Sequence, residues 1–390
     1  MLTADNETAF DRTSRLAMNP FMLRHLSNPF FFESPSNQWE FTDRVNEMKT
    51  LSGILSSAGR RVLTYGRRRM GKTSILEHAV RKLPGKFLLV DVSTAASVAE
   101  LAKKLLAAMP LQDEGKFQKV LQFAQRYFKE VSIKAGKISL STEFRPLNDE
   151  STMEDVLNLL NECAGADDAP WTIILDEFQE IRAIAGDKAD WKLRGVIQKH
   201  RNLNYVFTGS DHRLVEWMTN PVAPFFKQLQ QIEIGPIDPT HLAGWLRERA
   251  KVGGMTKFPY AEQIVAMAGP CTGDVVRLAK TVFDFAGEGQ AGDVVSKAFD
   301  AIALIELNTE FNAHWRSIGS TPARSMLRAI AAGQQPTSAE TLQQYGIRSA
   351  STAGTAVAWL LDKQFLVRTA EGKVAFDNPF YRRWVQFNAA

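Results

Sequence analysis

Lys72 and Thr73 close the run Gly66-Arg67-Arg68-Arg69-Met70-Gly71-Lys72-Thr73, a Gly-x-x-x-x-Gly-Lys-Thr spacing that can hold a polyphosphate. The two glycines let the backbone turn a row of N–H groups inward. A helix beginning at the lysine adds the positive end of its dipole. In such a loop Lys72 bridges the β- and γ-phosphates and the Thr73 hydroxyl ligates Mg²⁺, while Arg67, Arg68, Arg69, Met70 and Ser74 complete the cradle. The same chemistry calls for carboxylates, and the apolar run Trp171-Thr172-Ile173-Ile174-Leu175 ends in Asp176-Glu177. There Asp176 would hold the Mg²⁺ shell through water, and Glu177 would polarise the attacking water as general base. An apolar run ending in Asp-Glu is a weak signal alone and a strong one beside the phosphate loop. Ser210 follows a third β-prone run, Asn204–Thr208, and either senses the γ-phosphate or caps the next helix, two roles that are compatible. Together these residues imply ATP and Mg²⁺.

The elements that must position them read as an α/β fold over residues 41–235. Val62–Tyr65 is a strand, and Ile75, Leu76, Ala79 and Val80 mark the helix after the loop. Phe87–Val92 and Leu229–Ile234 add strands, and Val98–Met109 adds an amphipathic helix. The alternation predicts a mostly parallel sheet covered on both faces, a P-loop NTPase core. Residues 113–150 read as an insertion, with a helix over Phe117–Phe128 and a hairpin around Ala135-Gly136. Lys134 and Lys137 on that hairpin point either to a polyanion or to a solvated face. Ahead of the core, residues 1–40 form an arm with Asn19-Pro20-Phe21 and Asn28-Pro29-Phe30-Phe31-Phe32, expected to pack across another domain. A helix then runs towards Leu55, with Thr42 as its cap and Val45, Met48, Leu51 and Leu55 on one face.

From Asp238 the pattern is helical: 241–251, 261–268, 272–286 and 292–311, interrupted by Gly269-Pro270. Residues 236–315 thus read as a lid over the nucleotide cleft. Arg277 is its candidate γ-phosphate contact, or else a surface partner of Asp274 by helical spacing. Residues 316–390 read as three helices and a hairpin, 323–332, 338–344 and 350–363 followed by Phe365–Arg368 and Lys373–Phe376. That is the order of a winged helix-turn-helix, with Gly333 and Gly346 at helix ends. Its third helix offers Arg348 and small hydroxyls, a thin surface for reading a DNA groove.

Charge is unevenly spread. Residues 316–390 hold nine Lys/Arg against four Asp/Glu, a net of +5, so the rest of the chain sits near −1 within the overall +4. The basic end suggests double-stranded DNA or simply a solvated face. With 45% hydrophobic and 23% charged residues the composition is that of a globular protein. No apolar run approaches the roughly 20 residues of a membrane span, so no membrane partner is expected. The first residues lack the basic-then-apolar order of a signal peptide. Cys163 and Cys271 form no CxxC pair, and a cytoplasmic location is expected.

The chain resembles the archaeal-type and STAND-related P-loop ATPases, close to the Orc/Cdc6-like AAA+ proteins. The likeness rests on the Asn-Pro-Phe arm, Phe41–Met48, Gly66–Thr73, Leu175-Asp176-Glu177, Thr208-Gly209-Ser210, Gly269-Pro270 and the tail Asp377–Trp384. It implies ATP–Mg²⁺ bound between sheet and lid, slow hydrolysis stimulated by a partner, and a switch that acts on DNA or assembles with an effector protein or with itself. A regulatory scaffold whose winged helix docks a protein is the other reading. Relatives often place an Arg where Pro224-Phe225-Phe226-Lys227 has Lys, a point charge and not a planar fork. Lys227 or Arg213 could then act in trans or have only local surface roles.

Overall fold

The computed structural model describes residues 27–31, 42–110, 113–128, 130–134, 137–140, 149–210, 212–289, 292–369 and 371–389. The chain begins with α1 (Val45–Leu55), β1 (Arg61–Tyr65), α2 (Lys72–Arg81), β2 (Phe87–Asp91) and α3 (Val98–Ala107). Next come α4 (Glu114–Tyr127), the hairpin β3 (Val131–Lys134) and β4 (Lys137–Leu140), and α5 (Asp149–Ala164). β5 (Trp171–Asp176), α6 (Ile181–Ala185), α7 (Ala189–Ile197), β6 (Leu203–Gly209), α8 (His212–Thr219) and β7 (Gln230–Glu233) complete the sheet region. The five long-range strands pair in the order β2-β5-β6-β1-β7, every pair parallel. Alternate side chains take opposite faces. Val62, Ile174 and Val206 pack under α1 and α2, whereas Leu63, Ile173, Leu175 and Phe207 join the core with α3, α4 and α5.

Register places the chemistry. Leu175 is level with Phe207, Thr64 with Thr208, and Tyr65 with Gly209. The residues that end β5 and β6 and the loop after β1 therefore emerge side by side at the carboxyl edge, where such sheets take their ligands.

The remaining chain is helical up to a small wing: α9 (Pro239–Val252), α10 (Ala261–Ala268), α11 (Thr272–Gly287), α12 (Val294–Ala301), α13 (Asn308–Ser317), α14 (Thr321–Ala331), α15 (Ala339–Gln344) and α16 (Ala350–Asp362). The antiparallel strands β8 (Leu366–Arg368) and β9 (Val374–Phe376) lead into α17 (Pro379–Asn388). One apolar core runs from α9–α13 into the winged helix, with Phe299 and Phe380 4.7 Å apart between ring centres. Arg383 reinforces the join by donating to Asp300 at 2.6 Å.

Four local expectations are corrected. Thr42 does not cap α1; its hydroxyl meets His241 Nε2 at 3.0 Å, and the cap position is Arg44 at φ +64° with no side-chain cap. Val45 is 71% exposed, so the buried stripe is Met48, Leu51 and Leu55. The helix expected over 292–311 breaks at Ile302–Glu306, where a wider turn closed by Leu307 N–H to Ile302 C=O keeps Leu307 and Phe311 buried and turns Ile305 outward. The tail forms a fourth helix, α17, with Asn378 Oδ1 accepting from the Phe380 and Tyr381 amides and Pro379 in the first turn. Gly333 and Gly346 do end their helices, at φ +81° and +65°. In the described part of the arm, Phe30 is buried against Trp245, Phe258 and Phe283 of the helical segment after β7. The side chains of Lys134, Lys137 and Arg213 lie outside the described residues.

Candidate active site

The phosphate loop is shaped by close approach. A Cβ on Gly66 would lie 2.4 Å from the Ile234 carbonyl oxygen, because Ile234 N–H bonds to Tyr65 C=O at 2.7 Å and holds the segment after β7 against the loop. Gly71 caps α2 at φ +86°. Arg44 braces the loop from beneath, buried, donating to Met70 C=O at 3.2 Å and Gly235 C=O at 2.7 Å. Lys72 is also buried, its ammonium folded onto the loop at 3.0 Å from Gly66 C=O and 3.1 Å from Arg67 C=O. Burial pulls its pKa down, while Glu177 and Asp176 oppose that shift.

The two carboxylates are tied to the sites the register predicts. Thr73 Oγ1 donates to Asp176 Oδ2 at 2.6 Å, and Thr208 Oγ1 donates to Asp176 Oδ1 at 2.5 Å. Glu177 takes a left-handed backbone, φ +48°, which turns its side chain towards β6. Ser210 Oγ, buried, donates to Glu177 Oε2 at 3.0 Å, and Gln179 donates to the same oxygen. Arg68 Nε in turn donates to Ser210 Oγ at 3.4 Å. Glu177 N–H donates to Asp176 Oδ1 at 3.0 Å, so loop, acids and Ser210 converge in one chain of hydrogen bonds.

The three loop arginines diverge. Arg67 donates to Asp377 Oδ1 at 2.9 and 3.0 Å and to its C=O at 2.9 Å. Arg69, at φ +63°, pairs with Asp274 of α11 at 3.1 Å and with Asp377 at 3.4 Å. Its C=O accepts from Gly273 N–H at 2.8 Å, where a Cβ on Gly273 would stand 3.0 Å from Arg69 Cβ. Arg68 alone faces Ser210.

Residues 310–387 match the family described as "Probable winged helix domain". Among solved structures, the Walker-type ATPase PABY2304 of Pyrococcus abyssi is 17% identical, with a TM-score of 0.66 over 92% of this chain and 100% of that one. The chain shares its fold with Walker-type ATPases of this kind and ends in a winged helix. The Aeropyrum pernix ORC2 protein, in its ADPNP–ADP complexes, is 16% identical with a TM-score of 0.60 over 93% of this chain and 96% of that one. The A. pernix ORC1 protein in complex with DNA gives 14% and 0.51, over 89% and 93%. No curated protein matches the sequence.

In this Walker-type fold the residues present suit ATP and Mg²⁺: a loop whose Gly66 has no room for a Cβ and whose Gly71 takes a left-handed backbone, a buried lysine, and a threonine–aspartate pair. Met70 is buried in the core under the loop and Ser74 is half-buried in the first turn of α2. Arg277 lies one turn beyond Asp274, with Nε 3.7 Å from Glu306 Oε1. Arg277 still acts on Asp274 electrostatically, drawing its pKa down, while Arg69 of the loop makes the 3.1 Å ion pair with it. Lys227 is exposed, with its ammonium 5.2 Å from the Phe226 ring centre.

Sequence reasoning missed Arg44, Thr208, Gln179, Asp274 and Asp377 as parts of this network. Thr208 stood in view as the residue before Gly209-Ser210, and Asp377 as the acid just ahead of Asn378-Pro379. Arg44 carried no signal, since only its left-handed backbone aims it at the loop.

Proposed function

We propose that the protein is an ATP-binding and ATP-hydrolysing molecular switch, with slow turnover stimulated by a partner. The observation that carries this is the single network joining Thr73, Asp176, Thr208, Glu177 and Ser210 at the mouth of the phosphate loop. Lys72 and the loop amides would hold the phosphates; Thr73 and Asp176 would hold Mg²⁺, which supplies positive charge to the phosphate oxygens. Glu177, fixed by Ser210 and Gln179, would take the proton of the attacking water. Lys72→Ala should weaken binding of a fluorescent ATP analogue by roughly tenfold to a hundredfold, the worth of a charged hydrogen bond. Wild-type affinity in that variant would refute the reading.

The switch would act on DNA or on a protein through residues 316–390. Support for DNA comes from Arg324 and Arg328, each 5.6 Å from the Trp315 ring on the α13–α14 face, with Arg316 beside them. The scaffold reading is favoured by α16, whose outer face (Ser351, Gly354, Thr355 and Ala358) carries no Lys or Arg for phosphates. Titrating the whole chain with duplex DNA at two salt concentrations separates them. Binding with a steep salt dependence, lost in Arg324→Ala/Arg328→Ala, supports DNA, and none at low salt supports protein docking.

A further inference from the structure

A cavity of about 400 Å³ lies between the phosphate loop and the wing, walled by Arg67, Arg68, Ser210, Gln364, Arg368 and Asp377. Two contacts build it. Asp377 anchors Arg67, and Gln364, at φ +60°, donates its amide to Ser210 C=O at 3.2 Å. These bring β8, and Arg368 at its end, over the end of β6. Asp377 and Asp274 between them balance Arg67 and Arg69. Arg68 and Arg368 have no carboxylate of their own among the described residues, and Arg368 has no hydrogen-bond partner there.

The cavity wall carries three arginines, Arg67, Arg68 and Arg368, against one carboxylate, Asp377, and this net positive lining favours an anion. The cavity is one hydrogen bond from the general base, because Ser210 binds both Arg68 and Glu177. The anion that belongs there is the terminal phosphate of a nucleoside triphosphate. We infer that Arg368, carried by the winged helix, is a phosphate-binding residue acting in cis with Arg68, and that it makes the site prefer a triphosphate over a diphosphate. This rests on the nucleotide-binding reading above. It also gives the winged helix a direct hold on turnover, since a partner that draws the wing away removes the cation.

The test measures affinities of the whole chain for ADP and for a non-hydrolysable ATP analogue, in wild type, Arg368→Ala and Arg368→Lys. The expected result is a loss of roughly tenfold or more for the analogue in Arg368→Ala, with ADP affinity unchanged and partial recovery in Arg368→Lys. An Arg368→Ala variant that keeps the wild-type ratio of the two affinities overturns the inference and leaves the nucleotide reading intact. So does a variant whose sedimentation changes while that ratio does not, which marks Arg368 as a contact between copies. A wild type that binds neither nucleotide overturns both.

Discussion

The Arg67 guanidinium grips the Asp377 carboxylate with two N–H groups, at 2.9 and 3.0 Å, and so ties the phosphate loop to the residue just after the wing. The two side chains are 23% and 16% exposed, buried enough for the contact to escape most solvent screening. Arg69 adds a longer contact to the other carboxylate oxygen. Asp377 is therefore the point at which the nucleotide loop and the winged helix read each other's position.

A double-mutant cycle on Arg67→Ala and Asp377→Ala should give a coupling energy of about 1–3 kcal/mol, as for a charged hydrogen bond made by two N–H groups to one carboxylate oxygen. Either single variant should lower Tm by a few degrees and expose the wing to limited proteolysis. Additive stability losses would mean that the two side chains do not hold each other in solution.

Glu177→Gln should keep ATP binding and lower kcat by roughly 10²–10⁴, because the amide keeps its contacts with Ser210 and Gln179 but cannot accept a proton. Ser210→Ala should lower kcat less, with KM nearly unchanged, since Gln179 still holds the Glu177 carboxylate. Undiminished turnover in Glu177→Gln removes Glu177 from the role of base.

Much of this site was legible because its parts are local in sequence. The loop from Gly66 to Thr73 declares itself by glycine spacing, and Trp171–Glu177 by an apolar run that ends in acid. β6 and Ser210 followed from the same periodicity, and parallel register then did the alignment. What could not be read is what joins distant segments. Arg67 and Asp377 are brought together only because α9–α13 and the winged helix share one core that lays the wing across the loop. Asp274 could be matched by spacing only with Arg277, three residues away, whereas the fold adds Arg69 from the phosphate loop. The break at Ile302–Glu306 is invisible for a related reason. Helical periodicity continues through it, since Ala303, Leu307 and Phe311, at i, i+4 and i+8, would share one face of a regular helix as well, so nothing in the spacing marks the wider turn.

Asp274 makes stability depend on pH in an unusual direction. It is buried, with Oδ1 on Arg69 and Oδ2 lacking a partner. Burial pushes its pKa up to about 6, against the pull of Arg69, Arg277 and Arg67 and with help from Asp377. An unfolded aspartate loses its proton near pH 3.8. Between those values the folded chain holds a proton that the unfolded chain has released. The contribution of Asp274 is thus greatest below about pH 4, falls as pH rises to about 6, and is constant above. His200 acts oppositely. Buried between Tyr205 and Asn158, its imidazole is lowered to about 4, so its contribution is lost as pH falls through the range from 6.5 to 4. Comparing Asp274→Asn with wild type cancels the histidine. The variant should gain on wild type by on the order of 1–3 kcal/mol between pH 4 and pH 7.5, read as the difference in Tm at each pH. A difference that stays flat across that range would mean Asp274 titrates as an ordinary carboxylate, with Arg69 compensating fully for its burial.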